Sequence, residues 1–260
     1  MNKYDIVRKI EEFAPLETQE KWDCSGWVVN IMRSWCGAPG SCCVSNTSRA
    51  RNSTIPPLRQ SVSEGAEQSL IAQAEEINKI LFALTVTDDV VRQAREKGCD
   101  MIISHHPLFY VPLEYKDINI YCAHTNLDLA EGGTTDILIK KLGFKKTRNE
   151  GFARIVELEA PITVEELREK LLTISPRLRY VNNCGAKTVQ TIGFCAGSGS
   201  EFIGKTDAFV TGDLKFHTAL EAKSVVFDIG HFESEIFAPE LLREITGIEG
   251  IVADEKSPFI

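Results

Sequence analysis

The feature that most constrains this chain is a repeat. Cys99-Asp-Met-Ile-Ile-Ser-His-His106 aligns without gaps on Thr206-Asp-Ala-Phe-Val-Thr-Gly-Asp213, an offset of 107 residues. The offset persists downstream, where His124 falls on His231 and Asp128 on Glu235. Each copy closes in a histidine followed four residues later by a carboxylate, a spacing that places the two side chains one helical turn apart on one face. Such a duplication implies two similar halves, each reading strand, helix, strand, helix, strand.

The first copy carries the most informative chemistry. Asp100-Met-Ile-Ile-Ser-His-His-Pro-Leu-Phe-Tyr110 is an apolar strand-like run ending in adjacent imidazoles, His105 and His106. Successive strand side chains point to opposite faces, but at a strand end twisting into Pro107 both rings can converge, and two neutral imidazoles there could serve two metals. The plainer reading puts one ring in the core and the other in solvent. A second run, Ile118 to Cys122, closes in His124 and Asp128, and a third, Ser224 to Gly230, closes in His231 and Glu235.

At 260 residues and 43% hydrophobic content, the chain can bury one large core or two modest intertwined ones. No apolar run reaches the ~18 residues of a membrane span, and Met1 to Glu12 lacks the apolar stretch of a secretory signal. A cytoplasmic protein with no membrane partner is expected. The 8 cysteines then read as reduced packing residues rather than a disulfide framework. A net charge of -8 offers phosphates no global attraction, so general nucleic-acid binding is not expected, and an acidic ligand would need a local positive site such as a metal.

In chain order, Ile6, Val7, Ile10 and Phe13 mark an amphipathic opening helix from Tyr4. Lys21-Trp-Asp-Cys-Ser-Gly-Trp27 reads as a turn, either beside a pocket or at the surface. Residues 34–69 are poor in apolar side chains and without period, a mobile insertion in which Cys36, Cys42 and Cys43 lack a further ligand at finger-like spacing. A helix from about Glu67 leads into a strand over 79–86. Asp88 is the expected N-cap of a helix through Arg95, with Gly98 its stop. Strand, short helix and strand then form a parallel crossover, whose chemistry belongs beyond the carboxyl ends of the strands. In the second module Pro161 is expected to break the strand from Phe152, and Thr163 with Glu166 to form a capping box for a helix to about Leu172. Strands follow over 177–182 and 187–196. Gly197-Ser-Gly-Ser-Glu201 is a turn that could also offer backbone N–H groups to a phosphate. His217 opens a helix, where it could face the cleft but reads first as helix surface. The last helix is expected from Ser234 to about Ile245, with Pro239 inside. The resulting division is 1–33 with 70–150 as a first α/β half, 34–69 as the insertion, and 151–260 as a second α/β half.

Metal chemistry explains the set better than nucleophile chemistry. His105, His106, His231, Asp128 and Glu235 offer mixed nitrogen and oxygen donors, suited to zinc, iron or manganese rather than calcium or magnesium. They exceed what one catalytic zinc with an open position needs, and match two ions sharing a carboxylate and an acidified water. A serine triad lacks a nucleophile elbow. A Cys122–His124 pair would set its thiolate in an apolar strand.

Ile103-Ser-His-His-Pro-Leu108, Ala123-His-Thr-Asn-Leu-Asp128, Thr211-Gly-Asp-Leu-Lys-Phe-His217 and Gly230-His-Phe-Glu-Ser-Glu235 together resemble the signatures of the YbgI or Nif-three-like dinuclear metal-centre proteins, often labelled GTP cyclohydrolase I type 2 homologues. The resemblance covers the chain apart from 34–69 and, more weakly, the last fifteen residues. It implies an α/β fold of two interlinked, duplicated halves with mixed sheets, the metals in the cleft between them, and a homohexamer built as a trimer of dimers. On the matching positions it implies His105, His106, Asp128, His231 and Glu235 as ligands of two divalent ions, with Glu235 as bridge. His124 matches a motif position that is not a ligand and would either support a ligand or transfer protons. Two positions depart from the pattern: the usual Trp-Asp-Asn-x-Gly is Trp22-Asp-Cys-Ser-Gly26, and an acid usual in the first strand is here Thr85. The activity implied is metal-dependent hydrolysis of a small molecule, a purine nucleotide such as GTP being the substrate the label suggests. The alternative is a metal-binding adaptor without turnover.

Overall fold

A computed structural model describes residues 1–31, 76–204 and 206–259. The expected insertion over 34–69, and the body of the helix expected from Glu67, lie outside the described residues. The chain divides into two compact units, Met1–His124 with Leu242–Asp254 and Thr125–Leu241 with Glu255–Ile260.

The first unit runs through α1 (Lys3–Phe13), β1 (Gly26–Val29), β2 (Ile80–Thr85), α2 (Asp88–Glu96), β3 (Met101–His106) and β4 (Asn119–Cys122). The chain continues through α3 (Thr125–Leu129), α4 (Thr134–Lys141), β5 (Arg148–Glu150), β6 (Ala153–Thr163) and α5 (Val164–Leu172). There follow β7 (Arg179–Val181), β8 (Thr188–Phe194), β9 (Ala208–Thr211), α6 (Phe216–Glu221), β10 (Val225–Asp228), α7 (His231–Glu235), α8 (Ala238–Thr246) and β11 (Ile251–Val252).

In the first unit the strands are ordered β1-β4-β3-β2-β11, with β2, β3, β4 and β11 parallel and β1 antiparallel on β4. In the second the order is β5-β6-β8-β9-β10-β7, with β8, β9 and β10 parallel and β7 antiparallel on β10. Both sheets are therefore mixed, and both contain the same nucleus of three parallel strands with one antiparallel neighbour. The copies agree in detail. Asp100 accepts from the backbone N–H groups of Asn78 and Lys79 at 2.8 and 3.0 Å, and Asp207 accepts from those of Gln190 and Thr191 at 2.9 and 2.8 Å. In each copy a carboxylate before the central strand clamps its parallel neighbour just ahead of the residues that pair with that strand. Those two amide bonds hold the Asp207 carboxyl below its ordinary range.

Apolar periodicity sets the cores. Ile6, Val7 and Ile10 form the buried stripe of α1. In the first unit Leu81, Ala83, Ile102 and Ile120 on the strands pack with Val90, Val91 and Ala94 of α2. Leu138 and Leu142 meet Leu167, Leu171, Phe194, Val210 and Phe227 in the second.

Some boundaries differ from expectation. The hydroxyl of Thr87, not Asp88, caps α2 by accepting from the Val90 N–H at 3.3 Å, and Asp88 lies in the first turn. β6 continues through Pro161, since the pairing register shifts between Glu157 and Ile162 and the missing N–H interrupts no ladder bond there. The last helix is two helices, α7 and α8, with Pro239 in the first turn of α8, where it is tolerated. The Thr163–Glu166 capping box forms as expected.

Candidate metal centre

In the first unit β3 carries His105 and His106 to its carboxyl end. His105 is fully buried, and its ring centroid lies 5.1 Å from that of His106. The strand end thus turns both rings to one side, rather than sending one into the core and one into solvent. His124 follows β4 and joins them, with centroids 5.2 Å from His105 and 5.7 Å from His106.

Each ring is anchored through Nδ1. His105 Nδ1 donates to the Ala123 carbonyl at 2.9 Å. His106 Nδ1 pairs with the Thr85 hydroxyl at 2.6 Å, because β2 and β3 run parallel with Thr85 opposite His106. His124 Nδ1 donates to Asp23 Oδ1 at 2.9 Å. Asp23 in turn accepts from the Ser25 hydroxyl at 2.9 Å and from the Cys24 N–H at 2.6 Å, and the Ser25 hydroxyl oxygen accepts from the His124 N–H at 3.1 Å. The Asp23 side chain has no exposed surface. The Trp22-Asp-Cys-Ser-Gly26 segment is therefore the cradle of His124, with the indole of Trp22 edge-on to the imidazole at 5.9 Å. The cradle is built by Asp23 and Ser25, so Cys24, the departure from the family pattern, contributes its backbone N–H.

Ligand atoms of His105, His106 and His124 all lie within 4.8 Å of one another, and the group could hold a metal ion. Each ring offers one nitrogen to the group, and three such donors suit a transition ion. The residues present fit a metal.

The second unit builds a different group on α7. His231 Nε2 lies 3.0 Å from Glu235 Oε2, and His231 Nδ1 donates to Asp213 Oδ2 at 2.7 Å. Glu235 pushes His231 up to about 10, Asp213 adding to the effect and burial opposing it. Gly197 and Gly212 make this packing possible. A Cβ on Gly197 would meet Glu235 Oε1 at 2.2 Å, and one on Gly212 would meet the His231 backbone at 2.8 Å. Position 212 answers to His105 in the first copy, so the second copy has no room there for an imidazole. Asp213, answering to His106, adopts a φ of 52° and turns its carboxylate to His231.

Asp128, on α3, accepts from the Thr134 hydroxyl. Arg154, fully buried, fixes the end of that helix by donating to the Asp128, Leu129 and Ala130 carbonyls at 3.2, 2.9 and 2.9 Å while pairing with Asp136 at 2.9 Å. Composition did not single out Arg154; its signal was a cation inside the short apolar run from Phe152 to Val156.

Other candidates fall away. Cys122 is buried and donates to the His105 carbonyl at 2.9 Å, while burial first, then Asp128 and Glu235, push the Cys195 thiol up to about 12. The carboxylate of Glu235 against Gly197 makes that glycine turn a poor phosphate cradle. His217 is exposed on α6, as expected, against Phe216 at 5.4 Å. A cavity of about 350 Å³ lined by Asn78, Arg95, Asp100 and Asn119 opens at the amino ends of β2, β3 and β4, away from the imidazoles.

The family model for Duf34/NIF3 (NGG1p interacting factor 3) matches residues 69–250. This chain belongs to the Duf34/NIF3 family. A relative in Clostridium perfringens named GTP cyclohydrolase 1 type 2 homolog is 33% identical over 225 residues, covering 70% of this chain and 86% of its own. NIF3-like protein 1 of Drosophila melanogaster is 26% identical over 246 residues, covering 83% and 70%. The solved structure of protein ybgI, of unknown function, superposes with a TM-score of 0.74 at 20% identity over 99% of this chain and 100% of that one. A Bacillus cereus protein related to NIF3 gives 0.73 at 17% identity, over 100% and 99%. At these identities the two structures show the fold, and this Duf34/NIF3 chain has it. No helix among the described residues is long and apolar enough to cross a membrane.

Proposed function

We propose that this protein is a metal-dependent hydrolase whose donors are His105, His106, Asp128, His231 and Glu235, for two divalent ions of zinc, iron or manganese. Two such ions, when bound, would supply water acidified enough to give hydroxide near neutral pH. The chain's own residues supply the rest. The carbonyl of Ala123 and the hydroxyl of Thr85 orient the His105 and His106 rings, and Asp213 orients His231. His124 is the proton-transfer group. Its Nδ1–H is fixed by the buried carboxylate of Asp23, which stabilises the imidazolium formed when Nε2 takes a proton. Hydrolysis at the imidazole carbon of a purine needs such an acid, because the departing ring nitrogen must be protonated.

The observation that carries this reading is the Asp23–His124 pair at a cluster of imidazoles anchored through Nδ1. The names of the bacterial relatives suggest the substrate class, a purine nucleotide such as GTP. The test is GTP turnover by protein reconstituted with zinc, iron or manganese, beside His105→Ala. Activity that survives the substitution undiminished defeats the hydrolase reading and leaves the metal-binding adaptor.

The homohexamer, a trimer of dimers, is proposed alongside. Phe109, Tyr110 and Leu113 in the first unit and Phe216 and Leu220 in the second are large apolar side chains held in solvent, which supports assembly through such surfaces. Native mass spectrometry should find six chains, and a monomer would refute the proposal.

A further inference from the structure

We propose that Trp22 is the platform on which a planar heteroaromatic ring of the substrate stacks, such as the purine of a nucleotide. The inference rests on the reading of His124 as the proton-transfer group, and adds the side chain that holds the substrate's ring beside it.

The two tryptophans among the described residues stand close in the chain, and the fold treats them in opposite ways. The Trp27 indole packs edge-to-face with Tyr4 and Tyr121, with centroids 5.8 and 5.5 Å apart. The Trp22 indole is 61% exposed, although the side chain of Asp23, next to it, has no exposed surface. Its one aromatic contact among the described residues is His124, at 5.9 Å with the planes inclined by 76°. Rings so inclined do not cover one another's faces, and the indole keeps a flat apolar surface open next to the imidazole.

The exposed ring is carried on a fixed main chain. The Asp23 N–H donates to the Glu20 carbonyl at 3.0 Å, and the Ser25 N–H to Gln19 Oε1 at 3.0 Å. The Asp23 carboxylate accepts from the Cys24 N–H, the Ser25 hydroxyl and His124. The hydrogen bonds that set His124 therefore also set the main chain at Trp22, and the side-chain torsions of the indole are what a ligand has left to order. A stack there forms at small entropic cost. Stacked aromatic rings lie with centroids ~4.5–7 Å apart, the same span that separates Trp22 from His124. A ring seated on the indole is thereby brought into the neighbourhood of the group that would protonate it, as orientation for catalysis requires. Stacking is indifferent to which base is bound, because every base has a flat π-face. Trp22 therefore selects a flat ring over a saturated one and leaves the choice among purines to other groups.

The test separates binding from turnover. A GTP analogue with carbon in place of the departing ring nitrogen keeps the flat ring and the charge but cannot be opened. Its affinity for the zinc-reconstituted full chain is therefore measurable by equilibrium dialysis. Trp22→Ala should weaken that affinity about 5- to 150-fold, and Trp22→Phe, which restores a flat ring, should recover most of it. Inorganic triphosphate, which has the charge without the ring, should bind the unaltered protein and Trp22→Ala alike. Because the indole stands in solvent, both variants should fold, as checked by circular dichroism. Trp22→Leu, apolar without a flat ring, replaces Trp22→Ala if that variant does not. Unchanged affinity in Trp22→Ala, no recovery in Trp22→Phe, an equal loss of analogue and triphosphate, or no analogue binding by the unaltered protein overturns the proposal. Each of these outcomes leaves the hydrolase reading to GTP turnover and His105→Ala. Conversely, a loss confined to the ring-bearing ligand, with no turnover by the unaltered protein, keeps the stack and defeats the hydrolase.

Discussion

The end of β3 and the end of β9 occupy the same place in two copies of one fold, and they hold different chemistry. At the first, His105 and His106 stand side by side, anchored by a carbonyl and a hydroxyl. At the second, Gly212 and Asp213 take their positions, and the imidazole comes instead from α7, anchored by a carboxylate. The cause is steric before it is chemical. The His231 backbone approaches Gly212 so closely that even a Cβ would sit 2.8 Å away. With the first position closed to side chains, the next turns outward through a left-handed backbone and becomes a support for His231 rather than a donor beside it. Duplication preserved the strand register and the aspartate clamp at its start, while local crowding decided what each strand end could carry.

The contrast can be tested from its largest consequence downwards. In the second unit the helix bearing Asp128 depends on a buried cation, so Arg154→Met should leave Asp136 and the helix-end carbonyls uncompensated. A loss of about 3–5 kcal/mol in urea unfolding is expected, and a loss below ~1 kcal/mol would show that Arg154 does not hold the helix end. Next, the two kinds of anchor should differ in strength. Asp213→Asn should lower metal affinity about 10- to 100-fold, whereas Thr85→Val, removing a neutral hydroxyl, should cost less than ~10-fold by the same measure. Equal effects would erase the distinction between the strand ends.

A smaller effect is one of pH. In the metal-free protein Glu235 and Asp213 raise His231 from 6.5 to about 10. The folded value exceeds the unfolded one, so the stabilisation is complete below about 6.5 and is lost as pH climbs through about 10. The thermal midpoint of chelator-treated protein should fall across that window, and Glu235→Gln should flatten the fall. Uptake of a metal through His231 in the same window should release a proton, measurable as a buffer-dependent binding enthalpy. Smallest of all, His217→Ala on the exposed face of α6 should change stability by less than ~0.5 kcal/mol and leave metal affinity unaltered.

Much of the architecture was legible because it is written in local pattern. The apolar stripe of α1, the crossover from β2 through α2 to β3, and the capping box of Thr163 with Glu166 depend on residues close in the chain. Boundaries went astray where neighbours intervened. Thr87 took the cap from Asp88, and the register shift in β6 admitted Pro161 into a strand it was expected to end. The supports of the imidazoles were harder to foresee. Asp23 reaches His124 across 101 positions of sequence, and nothing local distinguishes that aspartate from one in a surface turn.

By itself the sequence determined the duplicated α/β plan, the placement of histidines at strand ends and the types of donor atom on offer, because strand alternation, helical spacing and side-chain chemistry are properties of short segments. Only the tertiary structure decided which nitrogen of each ring is engaged, that Asp23 and Asp213 stand behind His124 and His231, and that Gly212 closes one strand end to imidazole. Those depend on which distant backbones approach one another within a few ångströms, and spacing along the chain carries no record of that.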